Sequence, residues 1–411
     1  MLKKALALNL FFLMIFSFSG CSKLSTEISD MLIIQGIGVD KTPDGYTVSI
    51  QALNPAQSGT SEEGSGGSGG SSSTKTYVTT GKSISEAIRN VNTVSGKTPL
   101  YSHNRVIIFG EDTARDGITQ MLDFFVRDYG MRSTVSVAVA KQGTAEEMIK
   151  ANLGSSTISA KVIQMVLQSA HHEARTLNVR VLDIVNATQD DTSNVLMPAL
   201  SLKQPQKQQK SEGGGGSGEG GSGGEENKDS EVELSGAAVF DSDNKLKFFL
   251  ENEHSRGITF ANDEVDSGDV VFTLESGINV TLIIIKSDTK IKVDIKDGIP
   301  LYRIKLKLNC DITEYGSGDF GSLTPEILTQ ISSAAEKTVS GMLEDVLKKC
   351  ITENACDVFG FGRRLWLSHP EYYRENSGRW QELLPQLKTE ISAECHIRRV
   401  GEEAYLQSSK A

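Results

Sequence analysis

The alternation of apolar and polar positions predicts a β-hairpin near the start of the chain. Residues 31–40 and 46–53 are rich in apolar and β-branched side chains, and the turn-forming residues 42–45 separate them. Gly36 and Gly38 in the first strand predict a bulge or a close approach by another backbone. Strands then alternate with helices, which favours a mixed α/β domain. The predicted strands are 74–80, 104–110 and 134–140, and the predicted helices are 83–94, 114–129, 145–151, 158–170 and 176–186.

The second half of the chain has a different order of elements. A hairpin is predicted at 232–250 and a helix at 250–258, and four strands follow at 270–274, 279–286, 290–296 and 302–312. Their alternation is typical of an antiparallel sheet with one solvated face. Thr324 and Pro325 favour a helix start, and apolar spacing extends that helix to about Glu353. Short helical segments at 360–367 and 379–387 and a closing strand at 390–400 complete an α+β fold.

Two Gly/Ser-rich tracts interrupt these patterns and suggest the domain organisation. Residues 57–73 are expected to form a disordered loop, and 204–230 either a linker between domains or a long loop within one sheet. The fold class is therefore mixed α/β and α+β, with a C-terminal antiparallel sheet packed on a long helix. The predicted divisions are a signal peptide (1–20), an N-terminal α/β domain (21–203), the linker or loop (204–230), a small middle domain (231–266) and a C-terminal α+β domain (267–400).

The first twenty-one residues predict a cleaved lipoprotein signal. Two lysines precede an apolar run at 5–18, which is shorter than the ~20 residues that a membrane span needs. Two small residues and then Cys21 follow, a combination typical of a lipobox and less so of a plain secretory signal with an incidental cysteine. We expect cleavage before Cys21, a diacylglyceryl group on its thiol and acylation, for example by palmitate, of the new N-terminus. Two acyl chains anchor a protein stably, so the remaining chain is expected to be extracytoplasmic and tethered to a membrane through residues 22–30.

Charge and cysteine content narrow the possible functions. The chain has 42 basic and 53 acidic residues and a formal net charge of -11, which argues against a nucleic-acid binder and against a polybasic membrane patch. The cysteines beyond Cys21 are too few for a disulfide scaffold, and their spacing matches no standard zinc site. Buried thiols or one disulfide remain open for these four, which are Cys310, Cys350, Cys356 and Cys395.

No sequence motif points to catalysis, a cofactor or a metal. The pair Gly36 and Gly38 lacks the third glycine of a dinucleotide-binding loop, and a hairpin rather than a helix follows it. His171 and His172 are adjacent on a predicted helix, so their side chains diverge, which favours a solvated helix face over metal ligation. We therefore expect a non-enzymatic protein without a cofactor or a metal.

Three short stretches are candidates for structural or interaction roles. His103 lies at the mouth of an apolar strand, where a structural histidine with a satisfied hydrogen bond is favoured. Arg127, Asp128 and Arg132 end a predicted helix and could form an ion-pair network that pins the helix end against the strand. In the third stretch, two phenylalanines between glycines predict either a tight turn that inserts aromatic rings into the core, which we favour, or a contact surface. These residues are Phe359, Gly360, Phe361 and Gly362.

The order of these features resembles the Ger(x)C family, the lipoprotein C subunits of bacterial spore nutrient germinant receptors. The resemblance spans nearly the whole chain after the predicted signal. Many members have Trp-Asp after the lipobox cysteine, and this chain has Ser22 and Lys23 there, so no contact at those positions is carried over. The matching pieces are Cys21, the hairpin at 36–41, residues 101–104 with the following strand, Arg127 and Asp128 with Arg132, residues 145–148, residues 357–362, and His369, Pro370 and Trp380 with the final strand.

The resemblance implies a multi-domain lipoprotein on the outer face of the spore inner membrane. It would act, without catalysing a reaction, beside a large A-type subunit and a transporter-like B-type subunit in a complex that senses nutrients and triggers germination. Cys21 is the only site residue that the resemblance carries over. The rival interpretation is a lipid-anchored solute-binding protein of an importer, with two α/β lobes around a ligand cleft. An envelope hydrolase would need a convergent acid–base constellation, which the sequence does not offer.

Overall fold

The computed structural model describes residues 27, 30–53, 74–128, 130–153, 158–203, 230–316 and 323–399. The predicted signal peptide, Cys21, the tract 57–73 and all but the last residue of the tract 204–230 lie outside the described residues, and the expectations for them stay predictions. Within the part of the chain that is described, no helix is both long enough and apolar enough to cross a membrane.

A mixed sheet of nine strands forms the first half of the fold. The strands are β1 (Met31–Thr42), β2 (Gly45–Leu53), β3 (Thr74–Gly81), β4 (Thr98–Leu100), β5 (Val106–Gly110), β6 (Ser136–Ala140), β7 (Leu196–Lys203), β8 (Glu231–Phe240) and β9 (Leu246–Leu250). Their order is β3-β2-β1-β5-β6-β7-β8-β9, and β4 pairs with the start of β1. The central strands β1, β5, β6 and β7 are parallel neighbours, and antiparallel strands flank them on both sides.

Six helices within the described residues of the first half cover both faces of this sheet. They are α1 (Ile84–Ser95), α2 (Glu111–Asp116), α3 (Thr119–Arg127), α4 (Ala145–Lys150), α5 (Ser159–His172) and α6 (Val181–Thr188). One core contains residues of α1, α2, α3 and α6, and a separate core on the opposite face contains residues of α4 and α5. The single helix predicted at 114–129 is two helices, because the chain turns at Gly117, which has a φ of +117°.

Gly36 and Gly38 permit the close packing of helices on β1. The register of β1 against β2 shifts just before Gly36, which is the predicted bulge. A Cβ atom on Gly36 would lie 2.6 Å from the Cβ of Ala160, and one on Gly38 would lie 2.9 Å from the carbonyl oxygen of Ala145. Both distances are shorter than real Cβ contacts, so only glycine lets α4 and α5 lie this close to the strand.

The hairpin predicted at 232–250 lies in the first sheet. Strand β8 lies antiparallel beside β7, with register pairs that extend from Leu196–Val239 to Lys203–Glu231. The tract 204–230 therefore separates two strands that are neighbours in one sheet. The predicted domain boundaries, including the small middle domain at 231–266, stay predictions.

A second sheet of four strands and five helices make up the described part of the second half. The strands are β10 (Asp269–Thr273), β11 (Asn279–Lys296), β12 (Ile299–Tyr315) and β13 (Lys388–Arg399), and the helices are α7 (Asn252–Ala261), α8 (Pro325–Leu347), α9 (Phe361–Ser368), α10 (Pro370–Asn376) and α11 (Trp380–Leu383). The strand order is β10-β11-β12-β13. The two strands predicted at 279–286 and 290–296 are one continuous strand, β11.

The last strand departs from the predicted antiparallel sheet, because β13 runs parallel to β12 from Leu301–Lys388 to Asp311–Arg399. A parallel neighbour requires a crossover connection, and the long helix α8 supplies it. Helix α8 buries one apolar face at Ile331, Ala335, Val339 and Leu343, and it ends in a π-helical turn at Lys348–Thr352. The mixed α/β and α+β fold class is otherwise confirmed.

The two sheets share one continuous core. It contains the inward side chains of the second sheet and of α8 together with Ala237, Val239 and Leu250 from the first sheet. Helix α7 bridges them, since a Cβ atom on its Gly257 would lie 2.7 Å from the carbonyl oxygen of Met342 in α8. The relative position of the two sheets is therefore fixed by close packing.

Candidate functional site

The turn at 357–362 is built around a fully buried carboxylate. Asp357 has 0% of its surface exposed. Its carboxylate accepts N–H hydrogen bonds from Phe359 (3.1 Å), Phe361 (3.0 Å) and Gly362 (2.8 Å). Gly360, with a φ of +66°, supplies the left-handed conformation that reverses the chain before α9. Burial raises the pKa of Asp357 to about 6, and the three N–H donors limit that rise.

The two aromatic rings of the turn enter the core, as the favoured interpretation predicted. Phe359 and Phe361 are buried, and their ring centroids lie 5.3 Å apart. Phe361 stacks on Tyr302 of β12 with a centroid distance of 4.1 Å, and the Tyr302 hydroxyl donates to the carbonyl oxygen of Phe361 at 2.8 Å. Burial raises the pKa of Tyr302, which keeps this hydroxyl a donor.

The same turn holds a loop of the first sheet. Asn194 donates its backbone N–H to the carbonyl oxygen of Asp357 (2.8 Å), and its Oδ1 accepts the N–H of Asp357 (2.7 Å). Trp380 donates its indole N–H to the carbonyl oxygen of Thr192 (3.1 Å). A Cβ atom on Gly362 would overlap the Thr192 side chain. We call this contact between the loop 190–194 and the turn 357–362 the junction.

The predicted arginine network does not form. Arg127 pairs with Asp123 one helical turn earlier, at 2.6 Å. Asp128 accepts the N–H of Gly130 instead, and among the described residues neither Asp128 nor Arg132 belongs to a salt bridge. His103 is exposed, and its side chain has no hydrogen-bond partner within the described ranges, so its predicted structural role stays a prediction. The apolar positions of the short helices and strands, rather than ion pairs, hold these segments in place.

All four cysteines beyond Cys21 are buried free thiols. Cys310 and Cys395 lie on the neighbouring strands β12 and β13, where the Cys395 thiol and burial raise the pKa of Cys310, and the Cys310 thiol lowers the pKa of Cys395. Burial also raises the pKa of Cys350, and it raises that of Cys356 to about 11. The raised pKa values keep Cys310, Cys350 and Cys356 protonated at neutral pH, so these three thiols are poor nucleophiles.

Two open clefts flank α6. The first, of about 570 Å³, is lined by residues of α6 and by Asp263, Glu264 and Asp266. The second, of about 500 Å³, is lined by Trp366 and Tyr373 among others. The described residues contain no group of three or more His, Cys, Asp or Glu side chains placed to hold a metal ion.

Sequence reasoning missed three residues that contact the turn 357–362. Asn194 and Thr192 lie in the polar stretch 190–194, which reads as an ordinary turn, and Tyr302 lies in a regular strand pattern. The sequence did contain one signal for this site, which is Asp357 two positions before the Phe-Gly-Phe-Gly turn. The backbone N–H groups of such a turn need a hydrogen-bond acceptor when they are buried, and an acidic side chain can supply it.

Comparisons with known proteins cover most of the chain. Residues 25–202 match the family model described as spore germination protein N-terminal domain, and residues 235–401 match the model described as spore germination B3/GerAC like, C-terminal. Spore germination protein KC of Bacillus subtilis (strain 168) is 26% identical over an alignment 411 positions long, which covers 98% of this chain and 97% of that protein. Spore germination protein B3 of the same strain is 24% identical, over 94% of this chain and 95% of that protein.

A solved structure shares the fold. The crystal structure of the GerBC protein aligns with a TM-score of 0.55 and 22% sequence identity, and the alignment covers 88% of this chain and 96% of that chain. The arrangement of two sheets with their helices is therefore common to both proteins.

Proposed function

The chain belongs to the GerAC-like family of spore germination proteins, and from this premise we propose that it is the lipoprotein C subunit of a spore nutrient germinant receptor. The observation that supports this most directly is the match of both family models, in order, over nearly the whole chain. The full-length alignment with spore germination protein KC points the same way. The predicted lipobox at Cys21 would hold the protein on the outer face of the spore inner membrane.

Its proposed role is non-enzymatic and lies in receptor assembly and signalling. The A-type and B-type subunits of the receptor are the proposed partners. Two observations are consistent with such a role: the Asp357 carboxyl, whose pKa is raised, is buried and hydrogen-bonded within the protein, and one continuous core joins the two sheets. A protein whose two sheets share one core can present a surface of fixed shape to partners in the membrane.

A pull-down of the tagged protein from detergent-solubilised spore inner membrane tests the proposal, with Cys21→Ala as the control. We expect the wild-type protein to recover the A-type and B-type subunits, and the unlipidated control to lose them. Mass spectrometry of the N-terminal peptide establishes lipidation independently of recovery. If the wild-type protein is lipidated and is still recovered alone, the receptor proposal is wrong. The alternative, a solute-binding protein, is then favoured. A screen for solutes that raise the melting temperature of the protein would test it.

A further inference from the structure

The second of the two clefts beside α6 combines an exposed tryptophan with polar side chains from both halves of the fold. Asn186 and Gln189, at the end of α6, line it together with Arg363 and Trp366 of α9. In each pair the two residues are three positions apart, so they lie on one side of their helix. We call this space of about 500 Å³ the aromatic cleft.

The junction holds the aromatic cleft in a fixed shape. The loop that carries Asp191 is closed on itself, because the Asp190 carboxylate accepts the N–H of Thr192 (3.0 Å), its hydroxyl (2.7 Å) and the hydroxyl of Ser193 (3.0 Å). The Thr192 side chain in turn packs directly against Gly362 at the start of α9. A ligand that enters a cleft fixed in this way loses little affinity to ordering the protein.

Trp366 presents an aromatic ring to this cleft. Its side chain is 51% exposed, whereas Trp380, the other tryptophan of the chain, is 2% exposed. Tyr373 of α10 lines the same cleft and is partly buried. An exposed flat ring among polar side chains suits a ligand that has one apolar face and a polar rim.

The polar side chains of the cleft leave hydrogen-bonding groups open to a ligand. The amides of Asn186 and Gln189 are exposed and form no side-chain hydrogen bond within the described ranges. Asp191 and Arg363 are also exposed, and the salt bridges among the described residues include neither of them. Two amides, one carboxylate and one guanidinium therefore offer several donors and acceptors in planar pairs.

The charges of the cleft favour a neutral ligand. Burial opposes the ionisation of Asp190, but hydrogen bonds from Thr192 and Ser193 and the nearby Arg363 guanidinium hold its pKa below the usual range. Arg363 therefore faces an ionised Asp190, with Asp191 in the same cleft, and offers no net positive field to a phosphate or a carboxylate. Its own charge disfavours an ammonium group.

Two further classes of ligand are disfavoured. A metal ion needs several ligating side chains at one point, and the described residues contain no group of three or more His, Cys, Asp or Glu placed for this. A fatty acyl chain would cover the amides of Asn186 and Gln189 without giving them partners, which is costly. The remaining class is an uncharged ring compound with several hydroxyl groups.

We propose that the aromatic cleft binds the ring of a monosaccharide or of a related cyclic polyol. The C–H face of such a ring stacks on Trp366. Its hydroxyl groups form hydrogen bonds with the amides of Asn186 and Gln189 and with the charged ends of Asp191 and Arg363. The inference goes beyond the proposed function and does not depend on it, because such binding requires neither the lipid nor a partner subunit.

Saturation-transfer NMR on the purified full-length Cys21→Ala protein tests the inference. The probes are D-glucose, D-galactose, D-mannose and myo-inositol, and open-chain sorbitol is the control that has hydroxyls but no ring face. We expect transfer to the ring C–H protons of at least one probe, with a dissociation constant of about 1 mM, and no transfer to sorbitol. Absence of transfer to all four rings would overturn the inference.

Matched variants assign the binding to this cleft. Trp366→Ala should weaken binding at least about fivefold, and Trp366→Phe, which keeps a ring, should restore most of it. Leu367→Ala is the control, because Leu367 is the next residue of α9, is 68% exposed and does not line the cleft. At equal melting temperatures, equal affinities of Trp366→Ala and Leu367→Ala would show that the probe binds elsewhere and that the inference is wrong.

Tryptophan fluorescence gives an independent readout of stacking. The chain has two tryptophans, and only Trp366 is accessible to a quencher such as acrylamide. The bound probe should lower the quenching of Trp366, while sorbitol at the same concentration should leave it unchanged. Unchanged quenching at saturating probe would mean that the ring does not stack on Trp366 and would contradict the inference.

The outcomes distinguish the inference from the proposed function. If the protein binds a probe but recovers no A-type or B-type subunit in the pull-down, the inference stands and the proposed function fails. If it recovers the subunits but binds none of the four probes, the function stands and the inference fails. If Trp366→Ala loses the subunits and the wild-type protein binds no probe, the cleft is a contact with a protein partner and the inference is wrong.

Discussion

Asn194 and Asp357, which lie in loops of different halves of the fold, are joined by two reciprocal hydrogen bonds. The N–H of Asn194 donates to the carbonyl oxygen of Asp357 at 2.8 Å, and the N–H of Asp357 donates to the Asn194 side chain at 2.7 Å. The side-chain amide of Asn194 also donates to the carbonyl oxygen of Phe240 at 3.1 Å. One side chain therefore satisfies buried backbone groups from both halves of the molecule.

Asn194→Ala should destabilise the protein by about 2–4 kcal/mol, because it leaves the N–H of Asp357 and the carbonyl of Phe240 buried without partners. The measurement is the free energy of unfolding in urea. Asn186→Ala, at an exposed position of α6, is the control and should change that free energy by less than about 0.5 kcal/mol. Equal effects of the two substitutions would contradict the role assigned to Asn194.

The buried carboxyl of Asp357 should make stability depend on pH between about 4 and 6. Its pKa is about 6 in the folded protein and 3.8 when exposed, so the folded state binds more protons in this interval. The contribution of Asp357 is complete below pH 4, decreases as the pH rises to about 6, and stays lost above it. The rise from 3.8 to about 6 corresponds to about 3 kcal/mol.

Comparison with Asp357→Asn isolates this dependence. The variant is less stable at every pH, because its amide cannot accept all three N–H bonds, and it lacks the titration. The difference in unfolding free energy between wild type and variant should therefore shrink by about 3 kcal/mol from pH 4 to pH 7. A difference that grows with pH would mean that the N–H donors outweigh burial and that the pKa is lowered.

The sequence predicted the elements better than their connections. Helix α1 begins after Ser83, whose side chain accepts the N–H of Glu86, and ends at Gly96 with a φ of +69°, both as local rules expect. The joining of β8 to the first sheet and the parallel direction of β13 depend on pairings between residues far apart in the chain, and no local pattern encodes them.

The candidate residues also divide into those whose environment follows from the local sequence and those whose environment depends on distant segments. The burial of Phe361 could be predicted from its own turn. Gly360 permits the chain to reverse there, and the reversal directs the aromatic ring into the core. The exposure of His103 could not be inferred, because the sequence does not show which segments pack over the start of β5. Asn194 gave no signal, because a polar turn residue looks the same in the sequence whether it meets solvent or another sheet.

Gly362→Ala should lower the free energy of unfolding by about 1–3 kcal/mol, because the added Cβ atom would overlap the Thr192 side chain in a packed junction. Gly341 offers a matched control within α8, since nothing lies within 4 Å of a Cβ atom placed there. Gly341→Ala should raise the free energy of unfolding by up to about 1 kcal/mol through helix propensity. Thermal unfolding of both variants checks the opposite signs, and a neutral Gly362→Ala would show that the junction can relax.

Native thiol reactivity should be absent in the body of the protein. Its four cysteines are at most 5% exposed, and burial or a thiol partner accompanies each of them. A thiol reagent applied to the Cys21→Ala protein should therefore modify none of them in the folded state and all four after unfolding. Fewer than four reactive thiols after unfolding without a reductant would reveal a disulfide. Cys310 and Cys395 are the first pair to test for it, because they are in contact.

Asp40 should anchor α4 across the sheet. Its two carboxylate oxygens accept the N–H groups of Ala145 and Glu146, each at 2.8 Å, so a side chain on β1 caps a helix more than a hundred residues away. Asp40→Ala leaves both N–H groups without this acceptor and should cost about 1–2 kcal/mol of unfolding free energy, whereas Asp44→Ala in the exposed hairpin turn should cost little. Hydrogen exchange should quicken first at the N–H groups of Ala145 and Glu146. If those two N–H groups exchange at the wild-type rate in Asp40→Ala, the N-terminal turn of α4 is held by the packing of Gly38 against Ala145 rather than by the carboxylate.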